Sequence, residues 1–443
     1  MPVTIEAREM TDPITGRPID RLPYRELVRL SLYWLGLSSI FAGVTFILGA
    51  RLEFDGLVPN KDAAGRTLFL LTIGGAVIAM LVQPTIGSIS DYTISRWGRR
   101  KPYILIGSLL DVVFLIGIAV SQDLIAIAAF VALLQFSSNF AQGPFQGYVP
   151  DLVPSPQVGV ASALVGMMQI LGNVSGYAIA GIAVALDQYA LGLIALGVLE
   201  LVTMLSVVIR VREGPAPKSR GGRPWRAIAA EAWGTDILHE RSFLWLVASR
   251  LAVLMGGGIL ANLAVFYLSR SLGMNQEEAG TAFIVIVGLV ALGTVVAVIP
   301  AARASDRIGR KKVIYVSCAV GAGGFGFVAL APSFPVAIIG AVMFGLSTGI
   351  FLAVDWALMT DIIPKASSGR YMGLSNVATA SAGVLAVATG GTLMDIVGGP
   401  FGPRAALWLG VALFGVGALL LRPVDERRRE DLPAPAVAVP AVS

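Results

Sequence analysis

One cysteine, one histidine and a low share of charge set the first limits on this 443-residue chain. Cys318 stands alone, so no disulfide can form within the chain, and its place inside an apolar run suits a small packing residue. His239 has no second histidine with which to share a metal. No Cys/His cluster suggests a metal or haem, and no Gly-x-x-x-x-Gly-Lys-Ser/Thr run could cradle nucleotide phosphates. No Ser/His/Asp set lies outside the apolar runs. No cofactor, no metal and no enzymatic centre are therefore expected. Asp, Glu, Lys and Arg make up 14% of the residues against 56% apolar. That balance is far from a soluble domain and fits a chain that crosses a bilayer many times.

Twelve apolar runs are long enough to span. The first six lie roughly at 28–50, 68–90, 103–120, 124–148, 159–184 and 189–210. The second six lie roughly at 243–269, 279–302, 313–331, 335–360, 371–394 and 405–422. The expected fold is an all-α membrane protein, with twelve transmembrane helices in two six-helix pseudo-repeats. The expected division is a tail over 1–27, a first bundle over 28–210, a linker over 211–242, a second bundle over 243–422 and a tail over 423–443. Residues 1–27 are charged and lack an apolar core, so the first span is expected to serve as an uncleaved insertion signal. The linker opens with Gly214-Pro215-Ala216-Pro217 and is basic. Within it Pro224–Trp233 reads either as a short helix lying at the membrane interface or as a solvated spacer.

Orientation follows from the 33 Lys and Arg. Arg51, Lys61, Arg66, Arg270 and Arg404 fall on one side and Arg250 inside a span; all the others fall on the opposite side. That asymmetry places both termini in the cytoplasm, in a plasma or inner membrane. The net charge of +5 then reflects topology, and no nucleic-acid partner is expected.

The two halves repeat one signature. Between the second and third runs stand Gly87-Ser88-Ile89-Ser90-Asp91 and then Arg96-Trp97-Gly98-Arg99-Arg100-Lys101-Pro102. Between the eighth and ninth stands Ser305-Asp306-Arg307-Ile308-Gly309-Arg310-Lys311-Lys312. The interval from Gly98 to Gly309 is matched within one residue by that from Asp151-Leu152-Val153-Pro154 to Asp361-Ile362-Ile363-Pro364. The chain is thus two copies of one membrane unit, an architecture typical of secondary transporters. Cations at helix C-termini and anions at helix N-termini complement the helix dipole, so each turn can clasp neighbouring helix ends. A simple positive-inside anchor accounts for Arg96, Arg99, Arg100, Arg307 and Arg310, but not for Asp91 and Asp306 at matching places.

The fourth run places Gln135, Asn139, Gln142 and Gln146 on one helical face. The fifth adds Gln169 and Asn173. Unpaired amides are costly in hydrocarbon, so these faces should look onto other helices or a water-filled cavity. An amide both donates and accepts hydrogen bonds, which suits a hydroxyl-bearing solute; hydrogen bonding between helices is the alternative. Four ionisable residues also lie inside runs: Asp111, Glu200, Arg250 and Asp355. Arg250 and Asp355 sit at similar depth, on the order of 10 Å from the basic end, where a pair would neutralise both charges. Such a pair is either structural or part of ion coupling. Asp111 and Glu200 are either protonated or paired with each other. Trp356, beside Asp355, either stacks on a bound sugar or packs.

The basic turns resemble those of the major facilitator superfamily. Four residues separate Asp91 from Arg96, and this longer form is similar to the sucrose and related sugar–proton symporters, a glycoside–pentoside–hexuronide-like branch. Asn139-Phe140-Ala141-Gln142-Gly143-Pro144 and Gly172-Asn173-Val174-Ser175-Gly176-Tyr177 resemble that branch's fourth and fifth helices. The resemblance implies a monomeric secondary transporter that moves a small polyhydroxylated solute, a sugar or glycoside, by alternating access with a co-transported proton or cation. It implies that the basic turns latch the inner gate while the outer side is open, and that the seventh and tenth helices line the cavity. Ala302 replaces the leading Gly in the second copy, which suggests a looser latch there. The fourth helix departs from the branch: Gln135 and Gln146 stand where it carries an Asp and an Arg. Proton coupling through this helix, and sucrose as the substrate, are therefore open. Two other functions stay open as well, export of an amphipathic or drug-like compound and assembly of membrane pigment–protein complexes by a non-transporting member of the fold.

Overall fold

The computed structural model describes residues 20–58, 63–93, 95–211, 213, 224, 241–362, 375, 379 and 381–425. His239, residues 225–233 of the expected interfacial helix and most of both tails lie outside the described residues. The first half holds α1 (Tyr24–Phe54), α2 (Ala64–Ser90), α3 (Lys101–Val120), α4 (Leu124–Gln146), α5 (Val158–Ala185) and α6 (Tyr189–Arg210). The second holds α7 (Arg241–Phe266), α8 (Gln276–Ile308), α9 (Arg310–Leu330), α10 (Phe334–Ile362), α11 (Ser381–Val397) and α12 (Gly402–Leu420). Among the described residues 11 helices are long and apolar enough to cross a membrane, and α11 is a shorter apolar one. A π-helical turn, Tyr267–Ser271, continues α7, and another, Val387–Gly391, interrupts α11.

Local chemistry sets the helix ends. Asp123 caps α4 by accepting a hydrogen bond from the Ala126 N–H at 2.8 Å. Asn275 and Glu278 form a capping box at the start of α8. Gly98 and Gly309 turn the chain into α3 and α9 at φ of +116° and +97°. Side chains with a Cβ rarely adopt that conformation, so both repeats need glycine there. No breaker stands between Ala302 and Gly309, and α8 accordingly runs to Ile308, past the expected 302.

The halves repeat each other in packing as well as in sequence. In the first, α1 packs on α5 and α6, α2 on α4, and α3 on α4 and α6. In the second, α7 packs on α11 and α12, α8 on α10, and α9 on α10 and α12. Small residues allow the close approaches: Gly107 of α3 faces the Ser137 carbonyl of α4, and Gly324 of α9 faces the Gly340 carbonyl of α10.

Between the halves, α5 meets α8, α1 meets α7 and α2 meets α11. The residues involved lie at the end of the molecule opposite the basic turns, here termed the far end. Phe46 stacks on Phe283 with ring centroids 3.6 Å apart, and Tyr177 meets the same ring edge-on. Glu53 at the end of α1 accepts hydrogen bonds from Arg270 Nη2 at 2.6 Å and Ser269 Oγ at 2.8 Å. The Asp395 carboxylate of α11 accepts from the Gly65 N–H at 3.1 Å and the Arg66 N–H at 2.6 Å, capping α2 across the interface. Gln276 Nε2 donates to the Val184 carbonyl at 3.1 Å and to Asp187 Oδ1 at 2.8 Å.

Candidate functional site

The basic turn of the first half is a closed charge cluster. Arg100 is buried beneath it. Its Nη2 pairs with Asp91 Oδ1 at 2.5 Å and Asp151 Oδ2 at 2.6 Å, while Nη1 donates to the Pro144 carbonyl at 2.8 Å. The guanidinium fork thereby joins the end of α2, the end of α4 and the short helix Tyr148–Leu152. Arg99 adds a second ion pair to Asp151. Arg96 is exposed.

Glu213, three residues past the end of α6, completes the cluster. Its carboxylate accepts from the backbone N–H groups of Arg99, of Arg100 (3.1 Å) and of Lys101 (2.7 Å), which are the orphan donors at the start of α3. Tyr148 donates its hydroxyl to Glu213 Oε1 at 3.0 Å. Burial, and then the Glu213 carboxylate, hold the Tyr148 hydroxyl well above its usual pKa, so it stays a donor. Sequence reading passed over Glu213. Its position just past a span, among linker cations, was the only local signal.

The second copy is built differently. Lys311 occupies the place of Arg100, and its Nζ donates to the carbonyls of Arg422 at 3.0 Å and Val424 at 2.7 Å, just past α12. Asp306 approaches Arg310 no closer than 3.9 Å, and its side chain is 69% exposed. Arg307 is exposed. The side chain of Asp361, the counterpart of Asp151, lies outside the described residues.

The amide face of α4 is half-buried apart from Asn139, which is buried. Asn139 Nδ2 donates to the Gln135 carbonyl at 2.8 Å and lies 3.4 Å from Gln135 Oε1, so this amide is engaged within its own helix. Gln135 packs on Gly75 of α2. Gln142 and Gln146 form no hydrogen bond among the described residues and keep both donor and acceptor free. On α5, Gln169 is half-buried and Asn173 exposed. The side chain of Trp356 lies outside the described residues.

Arg250 and Asp355 meet in the second half. Arg250 Nη1 donates to Asp355 Oδ2, and both residues are buried. Arg250 Nε also reaches Thr379 Oγ1 at 3.2 Å, so one guanidinium ties α7, α10 and the segment leading into α11. Asp355 Oδ1 is buried without a hydrogen-bond partner. A buried pair of this kind is costly to split, because removing one member strands the other's charge. Asp111 lies elsewhere, inside the first half, where Ser137 and Ser138 donate to its carboxyl. Asp111 and Glu200 interact with each other.

Comparison with known proteins agrees with this architecture. A model described as Major Facilitator Superfamily matches residues 63–291 and 246–442. Sucrose transport protein SUT1 of Oryza sativa subsp. japonica is 30% identical over 173 residues, 33% of this chain and 32% of that protein. Solute carrier family 45 member 4 of Mus musculus is 30% identical over 192 residues, 40% of this chain and 24% of that protein. The chain thus matches about a third or less of the length of these relatives. Among solved structures, a D-xylose-proton symporter superposes with a TM-score of 0.68 at 15% identity, covering 91% of this chain and 98% of that one. The nucleoside transporter NupG superposes with a TM-score of 0.68 at 13% identity, covering 90% and 99%. Such distant likenesses speak for the fold alone. With its helices, its repeated half and a family match over most of its length, the chain belongs to the Major Facilitator Superfamily.

Proposed function

We propose that the chain is a secondary transporter of a small polyhydroxylated solute, a sugar or glycoside, coupled to a proton or another cation. The observation that carries this reading is where the halves touch: every bond between them described above lies at the far end. Two halves bonded, among the described residues, at one end are the parts that alternating access requires. With the basic end in the cytoplasm, this arrangement is the inward-open state. Gln142 and Gln146 then face the open side with free amides, and amides can replace water at a sugar's hydroxyls. The resemblance to sucrose transport proteins supports a sugar, and the glutamines at positions 135 and 146 argue against a charged fourth helix as the coupling site. In this reading Arg250 and Asp355 are the ionisable pair that bears on coupling. The basic turns act as inner-gate latches, closed against the second half when the far end opens.

The test is uptake of labelled mono- and disaccharides by proteoliposomes, with and without a pH gradient. Accumulation of one of them above its outside concentration supports the reading. No uptake and no exchange of any sugar by correctly folded protein would sink it and favour the non-transporting alternative. Arg250→Ala and Asp355→Ala should each lower the yield of folded protein, since a stranded buried charge costs about 3–5 kcal/mol. The double variant should recover much of that yield. If it then equilibrates the solute but no longer accumulates it, the pair carries coupling; if it does both, the pair is structural.

A further inference from the structure

Four helices of the first half close around two carboxyls with no cation among their partners. Asp111 of α3 and Glu200 of α6 stand near the middle of their helices and are fully buried. Ser137 and Ser138 of α4 each donate a hydroxyl to Asp111, one to each oxygen, Ser138 at 2.9 Å. The Tyr33 hydroxyl of α1 donates to Glu200 Oε1 at 3.0 Å and lies 2.6 Å from Ser108 Oγ of α3. Glu200 Oε2 is buried without a hydrogen-bond partner. The ionisable groups that face the pair are Tyr33 on α1 and the carboxyls themselves on α3 and α6, while α4 brings only hydroxyls. Glycines seal the site. A Cβ on Gly36 of α1 would stand 2.2 Å from Thr203 Oγ1 and 2.7 Å from Glu200 Cα, and one on Gly107 of α3 would stand 2.7 Å from the Ser137 carbonyl.

Two carboxyls in contact in a low-dielectric interior cannot both ionise. Asp111, with a hydroxyl donor at each oxygen, is arranged as the acceptor. Glu200 has one oxygen that no donor occupies, so Oε2 is the position where an O–H fits. Hydroxyls of Tyr33, Ser137 and Ser138 hydrogen-bond the two carboxyls, and among the described residues no cluster of three or more His, Cys, Asp or Glu could hold a metal ion. We propose that Asp111 and Glu200 form a binding site for one exchangeable proton inside the first half, separate from the Arg250–Asp355 pair of the second. Loss of that proton leaves two facing carboxylates and forces α3 and α6 apart at this level. Tyr33 ties Glu200 to α1, and α1 carries Glu53 of the far-end contact, so the proton bears on the position of a helix that joins the two halves.

Infrared spectra of the full-length protein in nanodiscs, titrated with pH in choline buffer, test the site directly. The expected result is a carboxylic-acid C=O band that shifts in D2O, disappears in Glu200→Gln, changes frequency and pH midpoint in Asp111→Asn, and persists in Asp355→Asn. Tyr33→Phe keeps both carboxyls; it should retain the band and move its pH midpoint by about one unit, the worth of one hydrogen bond to a charged group. That variant keeps the test open if the Gln variant does not fold. A wild-type protein without the band, a band that survives Glu200→Gln, or one that vanishes in Asp355→Asn would overturn the proposal. So would a band that D2O leaves unmoved. Loss of the band when sodium replaces choline at constant pH would mean a metal cation site in place of a proton site.

Discussion

Gly98 and Gly309 hold the same place in the two repeats and share a left-handed turn, yet the cation two residues further on is used differently in each half. In the first, Arg100 spreads its planar fork over two carboxylates and a carbonyl and is buried. In the second, Lys311 reaches backbone carbonyls beyond α12, and Asp306 is left largely to solvent. Both turns receive the segment that follows the sixth helix of their half. The first receives it through a carboxylate, Glu213, that caps α3; the second through an ammonium that meets chain carbonyls. One ancestral turn therefore supports a rigid clasp on one side and a looser docking on the other. The chemical difference is that guanidinium can satisfy several acceptors in one plane and an ammonium acts as a point charge.

The sharpest way to break this comparison is to remove the cation from each turn. Arg100→Ala removes the partner of Asp91, leaves Asp151 to Arg99 alone and frees the Pro144 carbonyl, a loss of about 3 kcal/mol. Lys311→Ala loses hydrogen bonds to backbone and should cost about 1–2 kcal/mol. Melting in detergent should separate the two clearly, and equal losses would mean the turns are equivalent. Backbone strain gives the next test. Alanine at either glycine meets a left-handed penalty of about 1–2 kcal/mol. At Gly98 the new Cβ would also fall 2.5 Å from the Glu213 carboxyl, so Gly98→Ala should lower the melting temperature by more than the backbone penalty alone. The smallest change in stability is expected at the aspartates. Asp306→Asn should move stability by under about 1 kcal/mol, as exposed pairs do, and leave transport intact. Asp91→Asn keeps the Arg100–Asp151 pair and should still fold, yet lose most transport if the first turn is the working latch. Equal transport in the two Asn variants would leave the turn as a topological anchor.

Much of the architecture was legible in the chain because hydrocarbon imposes length and polarity on every span. The repeat was legible from Gly98 and Gly309, whose backbone angle no other residue serves as well. The meeting of Arg250 and Asp355 was legible because rise per residue converts sequence position into depth. The partners of carboxylates at helix ends were not. Nothing local says that Asp395 caps a helix of the other half, or that Glu213 caps α3, since each is an ordinary carboxylate at a helix end until the helices are assembled. The amide face of α4 was legible as a face, but periodicity does not tell which amide its own helix uses. Asn139 turned back to Gln135, while Gln142 and Gln146 stayed free.

The π-helical turns at Tyr267–Ser271 and Val387–Gly391 have a mechanical consequence for the closed end. A π turn winds one residue too many into the coil and strains its hydrogen-bond ladder, so it is a natural hinge. Both turns lie in the second half, and both lie against the first: Ser269 and Arg270 hold Glu53, and Gly391 packs on Gly65 of α2. The facing stretches of α1 and α2 are regular α-helix. Compliance at the closed end is thus one-sided. If the halves part there, as the proposed alternating access requires, α7 and α11 should rewind while α1 and α2 move as rigid rods, and amide exchange should be faster in the two π turns than in the α-helical stretches they touch.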